Sequence, residues 1–431
     1  MKKKLVLVLC LALMLVPAMI FAGAETEGAA EEVDLTIFRW SAGAGRPAYE
    51  AAIGRFEAAN PGVTVELSDV PWGEYVDSMV KFQMAGELPD VFTQYDASIG
   101  SFYAMGALLP LDDLLPAGLR DEIYPGQWEL GVVNGETVGV TFRNGAHVFF
   151  YNKDMLRAAG LPQNIIDNGP RTYNEILMAA EACTIDKDGD GTIDQYGYSD
   201  NYGDEEGYHQ LRSLMMAAGS GPVDTTTFEA TMNDAKGVAA LEFLVELNVS
   251  GSVPAGSLTK SNNLKKEEFA NGLTAMIEGG NWIEATVVEA GLGFDLGVTF
   301  VPYPDNIAAS NGGSAAFVAH SVGSSTKYPQ LATDLIVELS SEQFVGEYCT
   351  IQNFLPPRID VATTNPYYKQ GFWPTYIEAT TLSKYGALPK HARVTELSKI
   401  MQIAIEKAMM GELSPKDALD EAAAKWNEIA N

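Results

Sequence analysis

Basic residues, cysteine and histidine are all scarce in this 431-residue chain: 28 lysines and arginines stand against 57 aspartates and glutamates, with three cysteines and four histidines. The formal charge of −29 repels phosphate backbones and anionic lipid heads, so nucleic acid and the membrane surface are not expected partners. Cys10, Cys183 and Cys349 lie far apart and make no cysteine cluster for a metal. No nucleophile elbow centred on serine is present, and no repeat of a solenoid period.

What is present begins with an export signal. Lys2, Lys3 and Lys4 precede an apolar run from Leu5 to Phe21, and Ala22-Gly-Ala24 supplies the small residues of a cleavage site. Pro17 and the acidic, Ala-rich sequence that follows argue against a retained membrane helix. Val8 and Leu9 before Cys10 make it a poor lipidation site. Residues 1–24 are therefore expected to be cleaved, 25–32 to form a mobile leader, and the mature chain to be periplasmic or otherwise extracytoplasmic and soluble. In that compartment Cys183 and Cys349 can pair or remain two buried thiols.

About four hundred mature residues exceed one typical core and suit two lobes. The spacing predicts strands at Val33–Trp40, Val63–Leu67 and Asp90–Gln94, with helices at Arg46–Ala59 and Trp72–Ala85 between them. This β-α-β-α-β rhythm gives parallel strands with helices on the sheet faces, and ligands collect at the carboxyl ends of such strands. Thr172-Tyr-Asn-Glu175 is a capping box, and Ser414-Pro415-Lys-Asp417 follows the same logic. Between Phe142 and Gly160 the pattern changes twice. Asn144 and Gly145 break an extended run, His147–Tyr151 reads as a short aromatic strand, and Lys153–Ala159 reads as a helix ended by Gly160, as where a chain crosses between lobes.

Six motifs then occur in a telling order: Pro89-Asp90-Val91, Ala104-Met-Gly-Ala-Leu-Leu-Pro-Leu-Asp112, Phe150-Tyr-Asn-Lys-Asp154, Pro170-Arg-Thr-Tyr-Asn-Glu175, Thr274-Ala-Met-Ile-Glu-Gly-Gly-Asn-Trp282 and Leu355-Pro356. In these the chain, from Val33 to Asn431, resembles the extracellular solute-binding proteins of ATP-binding-cassette (ABC) sugar importers, the family that includes the maltodextrin-binding protein. The resemblance implies an α/β, two-lobe periplasmic-binding-protein fold of type II, each lobe a mixed sheet flanked by helices and the two joined by hinge segments. Residues 33–143 and 305–362 are expected in the N-lobe, 144–304 and 363–431 in the C-lobe. It further implies a monomer that closes on a carbohydrate ligand and delivers it to the transmembrane subunits of an ABC permease.

A sugar offers apolar C–H faces and a rim of hydroxyls, so its site needs aromatic platforms and planar polar forks. Candidate platforms are Trp40, Trp72, Tyr95, Tyr202, Tyr208, Trp282 and Trp373. Trp282 matches the family position where a ring stacks on sugar; Trp72 follows a strand end; Trp40 is open between core and cleft; Trp373 has no periodic context. Candidate hydroxyl partners are Asp96 past the third strand, Arg46 at the first helix N-terminus, and Arg143 with Asn144 at the crossing, Arg46 being equally readable as a solvated helix residue. Maltodextrin binders carry a carboxylate at the position of Gly145 and aromatics where this chain has Ser398 and Lys399, so neither maltose nor maltodextrin is expected. Sugar phosphates and uronates are expected non-binders because of the chain's charge.

Asp186-Lys-Asp188-Gly-Asp190-Gly191-Thr192-Ile193-Asp194 places oxygen ligands at loop positions one, three, five and nine, with the Thr192 carbonyl at seven, the pattern of a calcium loop. Position twelve is Gly197, so the bidentate closing Glu is absent. A structural Ca²⁺ is expected. Gly43-Ala-Gly45-Arg-Pro-Ala48 nominally fits a dinucleotide fingerprint, but a chain exported unfolded gains little use of nicotinamide cofactors. The contrasting class is a secreted carbohydrate-active enzyme, which needs two opposed carboxylates. No local motif singles out such a pair, and no catalytic activity is expected.

Overall fold

A computed structural model describes residues 32–40, 45–96, 98–204, 206–291, 293–308, 312–382 and 388–430. The export signal, Cys10, leader residues 25–31 and Gly43 lie outside them. Among the described residues nine strands follow in order: β1 (Val33–Trp40), β2 (Val63–Val70), β3 (Val91–Tyr95), β4 (Val132–Val133), β5 (Glu136–Thr137), β6 (Val140–Asn152), β7 (Met276–Gly280), β8 (Leu296–Thr299) and β9 (Ala315–Val322). Seven of them form one sheet in the order β2-β1-β3-β9-β6-β7, with β8 paired to β6; β4 and β5 make a small hairpin.

The first half of the molecule follows the expected rhythm. β1 pairs in parallel with β2 and β3, and helices α1 (Arg46–Ala59), α2 (Trp72–Ala85) and α3 (Ile99–Ala104) follow β1, β2 and β3. β1 is buried on both faces toward its end, whereas β2, at the sheet edge, alternates. α1 sinks Ala48, Tyr49, Ala52, Ile53 and Phe56, spaced along one face, and α2 stops at Gly86, whose φ of 71° terminates the helix. At the centre Phe142 of β6 stacks on His320 of β9 at 3.9 Å between centroids, with Tyr49, Phe344 and Tyr348 around them.

β6 corrects one expectation. The residues Asn144 and Gly145 do not break the chain, for Val140–Asn152 is one strand of 13 residues. Each has a ladder partner on β9, Phe317 and Ala316, and Asn144 also exchanges both backbone hydrogen bonds with Leu355. Hydrogen bonds from both sides outweigh the weak strand preference of these residues. Residues 140–146 of β6 pair with β9, and 147–152 pair with β7 and β8, so a single strand joins the two halves of the sheet.

Beyond β6 the second half is mostly helical. Helices Tyr173–Cys183, Glu206–Ala217, Ala235–Val249, Val394–Met409 and Pro415–Ala430 pack on one another, while Asn262–Ala270 packs on β7. Thr172 and Glu175 form both hydrogen bonds of the capping box. Ser414 accepts from the Asp417 amide and donates to its carboxylate. Cys183 and Cys349 are both buried free thiols, which closes the alternative of a disulfide between them.

Candidate ligand cleft

Because β1, β2 and β3 are parallel, the residues at and just beyond their carboxyl ends share one edge of the sheet. Trp40 ends β1, Tyr95 ends β3, and Trp72 opens α2 directly after β2. Their rings meet edge to face, Trp40–Trp72 and Trp72–Tyr95 at 4.9 Å and Trp40–Tyr95 at 5.9 Å. Trp40 and Tyr95 are buried while Trp72 is half-buried, so the group is a wall with one accessible ring.

Asp96 follows Tyr95 immediately and reaches out of the first half. Its carboxylate lies 2.7 Å from Arg212 Nη2 on helix Glu206–Ala217, both side chains being almost wholly buried. Tyr208, buried, sits four residues earlier on the same helix. Tyr202, in the segment leading to it, is held at both backbone ends: its N–H donates to the Ser257 carbonyl at 2.7 Å, and its own carbonyl accepts from Gln402. Burial raises the Tyr202 hydroxyl well above its ordinary pKa, so it stays protonated.

At the crossing, Trp282 lies against the strand. A Cβ added at Gly145 would fall 2.8 Å from Trp282 Cζ3 and 2.8 Å from Asn281 Oδ1, and Gly280 meets the same indole. Trp282 also contacts His147 and Phe354, at 5.5 and 5.7 Å between centroids. His147 Nδ1 lies 2.8 Å from Glu278 Oε1, deep in the fold. Asn281 Oδ1 accepts from the Ala146 N–H at 2.9 Å, while its amide donates to the Asn353 carbonyl. Asn353, at φ 56°, donates to Glu284, accepts from the Tyr367 hydroxyl, and so ties the crossing strand's neighbours to Tyr376, which also donates to Glu284. The Asn144 side chain accepts from the Gly145 N–H at 2.8 Å. Arg143 is buried, with Cζ 3.9 Å above the Phe354 ring and 5.6 Å from Trp40.

Two further proposed ligand residues have other immediate partners. Arg46 is half exposed and pairs with Glu50 and Asp69, an arrangement in keeping with its solvated alternative. Trp373 is buried among Tyr367, Tyr368 and Tyr376, at 4.6–5.4 Å between centroids. Arg212, Phe354, Asn281 and Asn353 were not foreseen. Arg212 reads in sequence like any polar helix residue, and Asn353 carries its signal only in a left-handed backbone that a sequence does not display.

The acidic loop is organised as its spacing requires. Asp186 accepts from the N–H groups of Gly189 and Gly191, Asp188 from Asp190, Asp190 from Thr192, and Asp194 from Lys187. Carboxylate oxygens of Asp186, Asp188 and Asp194 lie within 4.8 Å of one another. The Gly191 amide is the main cause holding the Asp186 carboxyl below its usual range, which keeps it anionic. Ile185 and Gln195 bridge antiparallel across the loop base. Gly197 is pressed against the Ala180 backbone, leaving no room for a side chain, so packing itself denies position twelve a ligand.

A family model described as bacterial extracellular solute-binding protein matches residues 51–373. In fold the chain is similar to an ABC transporter solute-binding protein of Thermotoga lettingae bound with alpha-D-tagatose, with a TM-score of 0.82 and 23% identity over 93% of this chain and 100% of that one. It is also similar to the GacH receptor of Streptomyces glaucescens, solved unliganded and with acarbose, with a TM-score of 0.80 and 22% identity over 93% and 98%. In sequence it is 24% identical to the sn-glycerol-3-phosphate-binding periplasmic protein of Escherichia coli K12 over 87% of both chains. Among the described residues no helix is long and apolar enough to cross a membrane. The architecture is the two-lobe, type II binding-protein fold, and the chain belongs to the family of bacterial extracellular solute-binding proteins.

Proposed function

We propose that this chain is the extracytoplasmic binding component of an ABC transporter, which captures a mono- or oligosaccharide by lobe closure and passes it to a membrane permease. The observation that carries this reading is the junction itself. Three aromatic rings from parallel strand ends stand beside Asp96, and Asp96 meets Arg212 of the opposite half at 2.7 Å. Rings for sugar faces and hydrogen-bonding forks for hydroxyls are thus assembled where the halves meet. The sugar-bound relatives support the ligand class. The lobes are proposed as 33–143 with 305–362 and 144–304 with 363–431; the β6 crossing and the return of the chain from β8 to β9 support the breaks near 143 and 304.

Closure is favoured by ligand because both lobes touch it only when shut. Trp40, Trp72, Tyr95, Asp96, Arg143, Asn144, Tyr202 and Trp282 are the residues proposed to contact it. Calorimetric titration against mono- and oligosaccharides tests the reading: saturable binding supports it, and absence of heat across the panel sinks it. Incubation with oligosaccharides should release no new reducing ends; turnover would move the chain to the carbohydrate-active enzymes. The protein is proposed to act as a monomer after cleavage of residues 1–24.

For the acidic loop the reading is a structural Ca²⁺. The fit rests on three converging carboxylates already fixed by backbone N–H groups. Asp186, Asp188, Asp190 and Asp194, with the Thr192 carbonyl, would hold it. When bound, the ion supplies charge neutralisation and loop closure rather than chemistry on a ligand.

A further inference from the structure

Four arginines are more than nine-tenths buried among the described residues: Arg39, Arg143, Arg212 and Arg358. Three of them meet carboxylates directly, Arg39 with Asp69, Arg212 with Asp96, and Arg358 with Glu122 and Asp360. Arg143 differs. It is 7% exposed, its Nε, like that of Arg39, has no hydrogen-bond partner, and among the described residues no carboxylate lies within 4.0 Å of its nitrogens. Its neighbours are the rings of Phe354, Trp40 and Phe142, with Tyr49, Tyr348, Cys349 and the further cation Arg39.

A guanidinium does not shed its proton in a protein, so burial cannot be relieved by neutralisation. Cation–π contact offsets part of the cost, but ring faces satisfy none of the five N–H donors. Removing a charge from water without a counter-charge is strongly unfavourable. In a chain with 57 acids and 28 bases, a carboxylate at this point was easily supplied, and among the described residues none pairs with Arg143.

A second buried cation, Arg39, is among the neighbours of Arg143; its carboxylate, Asp69, is shared with Arg46, which also pairs with Glu50. α1, of 14 residues, has Gly45 as its N-cap, with no side-chain cap and no acid in its first turn. That end and Arg143 converge on Tyr348. A Cβ at Gly45 would lie 2.6 Å from Tyr348 Cε2, and Tyr348 is the first of the charged or ionisable neighbours acting on Arg143.

We infer that Arg143 is the counter-charge for an acidic group on the ligand, so that the carbohydrate taken by this cleft bears a carboxylate or a phosphate. The inference rests on the sugar-binding reading and narrows it. It reverses the expectation drawn from net charge, because a long-range field of exposed, screened acids decides less than a desolvated guanidinium in contact.

The test is a matched titration of the full-length mature protein with glucose, glucuronate, glucose 6-phosphate, glycerol and glycerol 3-phosphate, with inorganic phosphate and acetate as bare anions. An acid-bearing member is expected to bind about tenfold or more tightly than its neutral partner, as charge-assisted hydrogen bonds imply. The carboxylate and phosphate arms show which acid is meant. Arg143→Gln should abolish the preference; Arg143→Lys, which keeps the charge should the first variant misfold, should reduce the ratio of acid to neutral affinity without abolishing it. Equal binding of neutral and acidic partners, or a preference that survives Arg143→Gln, overturns the inference while leaving sugar binding intact. Saturable stabilisation by phosphate or acetate that depends on Arg143, without binding of any sugar, upholds the anion site and overturns the carbohydrate. No response to any acid overturns the site.

Discussion

Gly145 occupies a place where a carboxylate would be in a maltodextrin binder, and its surroundings show why none fits here. The volume next to its Cα holds the Trp282 indole and the Asn281 amide, both within 2.8 Å of a hypothetical Cβ. Gly145→Glu is accordingly expected to destabilise the fold by about 1–3 kcal/mol through overpacking, measurable by chemical denaturation, and to gain no maltose affinity. A second residue-scale expectation concerns acid. Burial pushes the His320 imidazole well below its ordinary 6.5, where it lies 2.7 Å from the Tyr49 hydroxyl and near Arg39 and Arg143. The folded chain leaves His320 neutral while the unfolded chain takes up a proton below that pH. Its contribution is therefore complete above pH 6.5 and is lost as the pH falls toward the folded value. Denaturation midpoints at pH 7.5, 6.5 and 5.5 should show stability falling by up to about 1.4 kcal/mol per pH unit from this group, and the fall should be shallower in His320→Gln.

At the scale of elements, the loop 186–194 and strand β6 show two ways in which local pattern meets its context. The loop's geometry is written in its own spacing, because each carboxylate bonds amides two to seven residues away. If calcium occupies it at a hundred times its dissociation constant, the ion contributes about 2.7 kcal/mol. Chelator should then lower the melting temperature by a few degrees, and Asp186→Asn should remove that sensitivity; an unchanged melt in both would refute the calcium reading. In β6, by contrast, Asn144 and Gly145 read locally as a break but are carried through by β9 and Leu355, which lie far away in sequence. Periodicity sees only the strand itself, and this strand is stabilised from outside.

At the scale of the whole molecule, contacts between distant segments hold the two halves together. Asp96 meets Arg212, Lys390 donates to the carbonyls of Glu129 and Val132, and Ser101 on α3 lies 3.5 Å from Thr395. Breaking a buried ion pair by removing one partner costs about 3–5 kcal/mol, and here the cost should fall on the closed form, since opening would return Asp96 to water. Arg212→Ala should hence lower ligand affinity by at least about tenfold and enlarge the radius of gyration seen by small-angle scattering. Identical scattering and affinity in the variant would show that this pair does not govern closure.

Much of this was legible in the amino-acid order. The β-α-β-α-β rhythm, the capping box at Thr172, the acidic loop and the aromatic ends of three strands all depend on neighbours within a few residues, where backbone periodicity and short side-chain reach decide the outcome. The tertiary structure alone decided that β6 runs unbroken, that Trp282 fills the space beside Gly145, that Trp373 packs among tyrosines, and that Asp96 finds Arg212. It also decided which buried arginine lacks a carboxylate. Charge pairing and desolvation depend on distances in space between segments a hundred or more residues apart, and those distances exist only once the chain has folded.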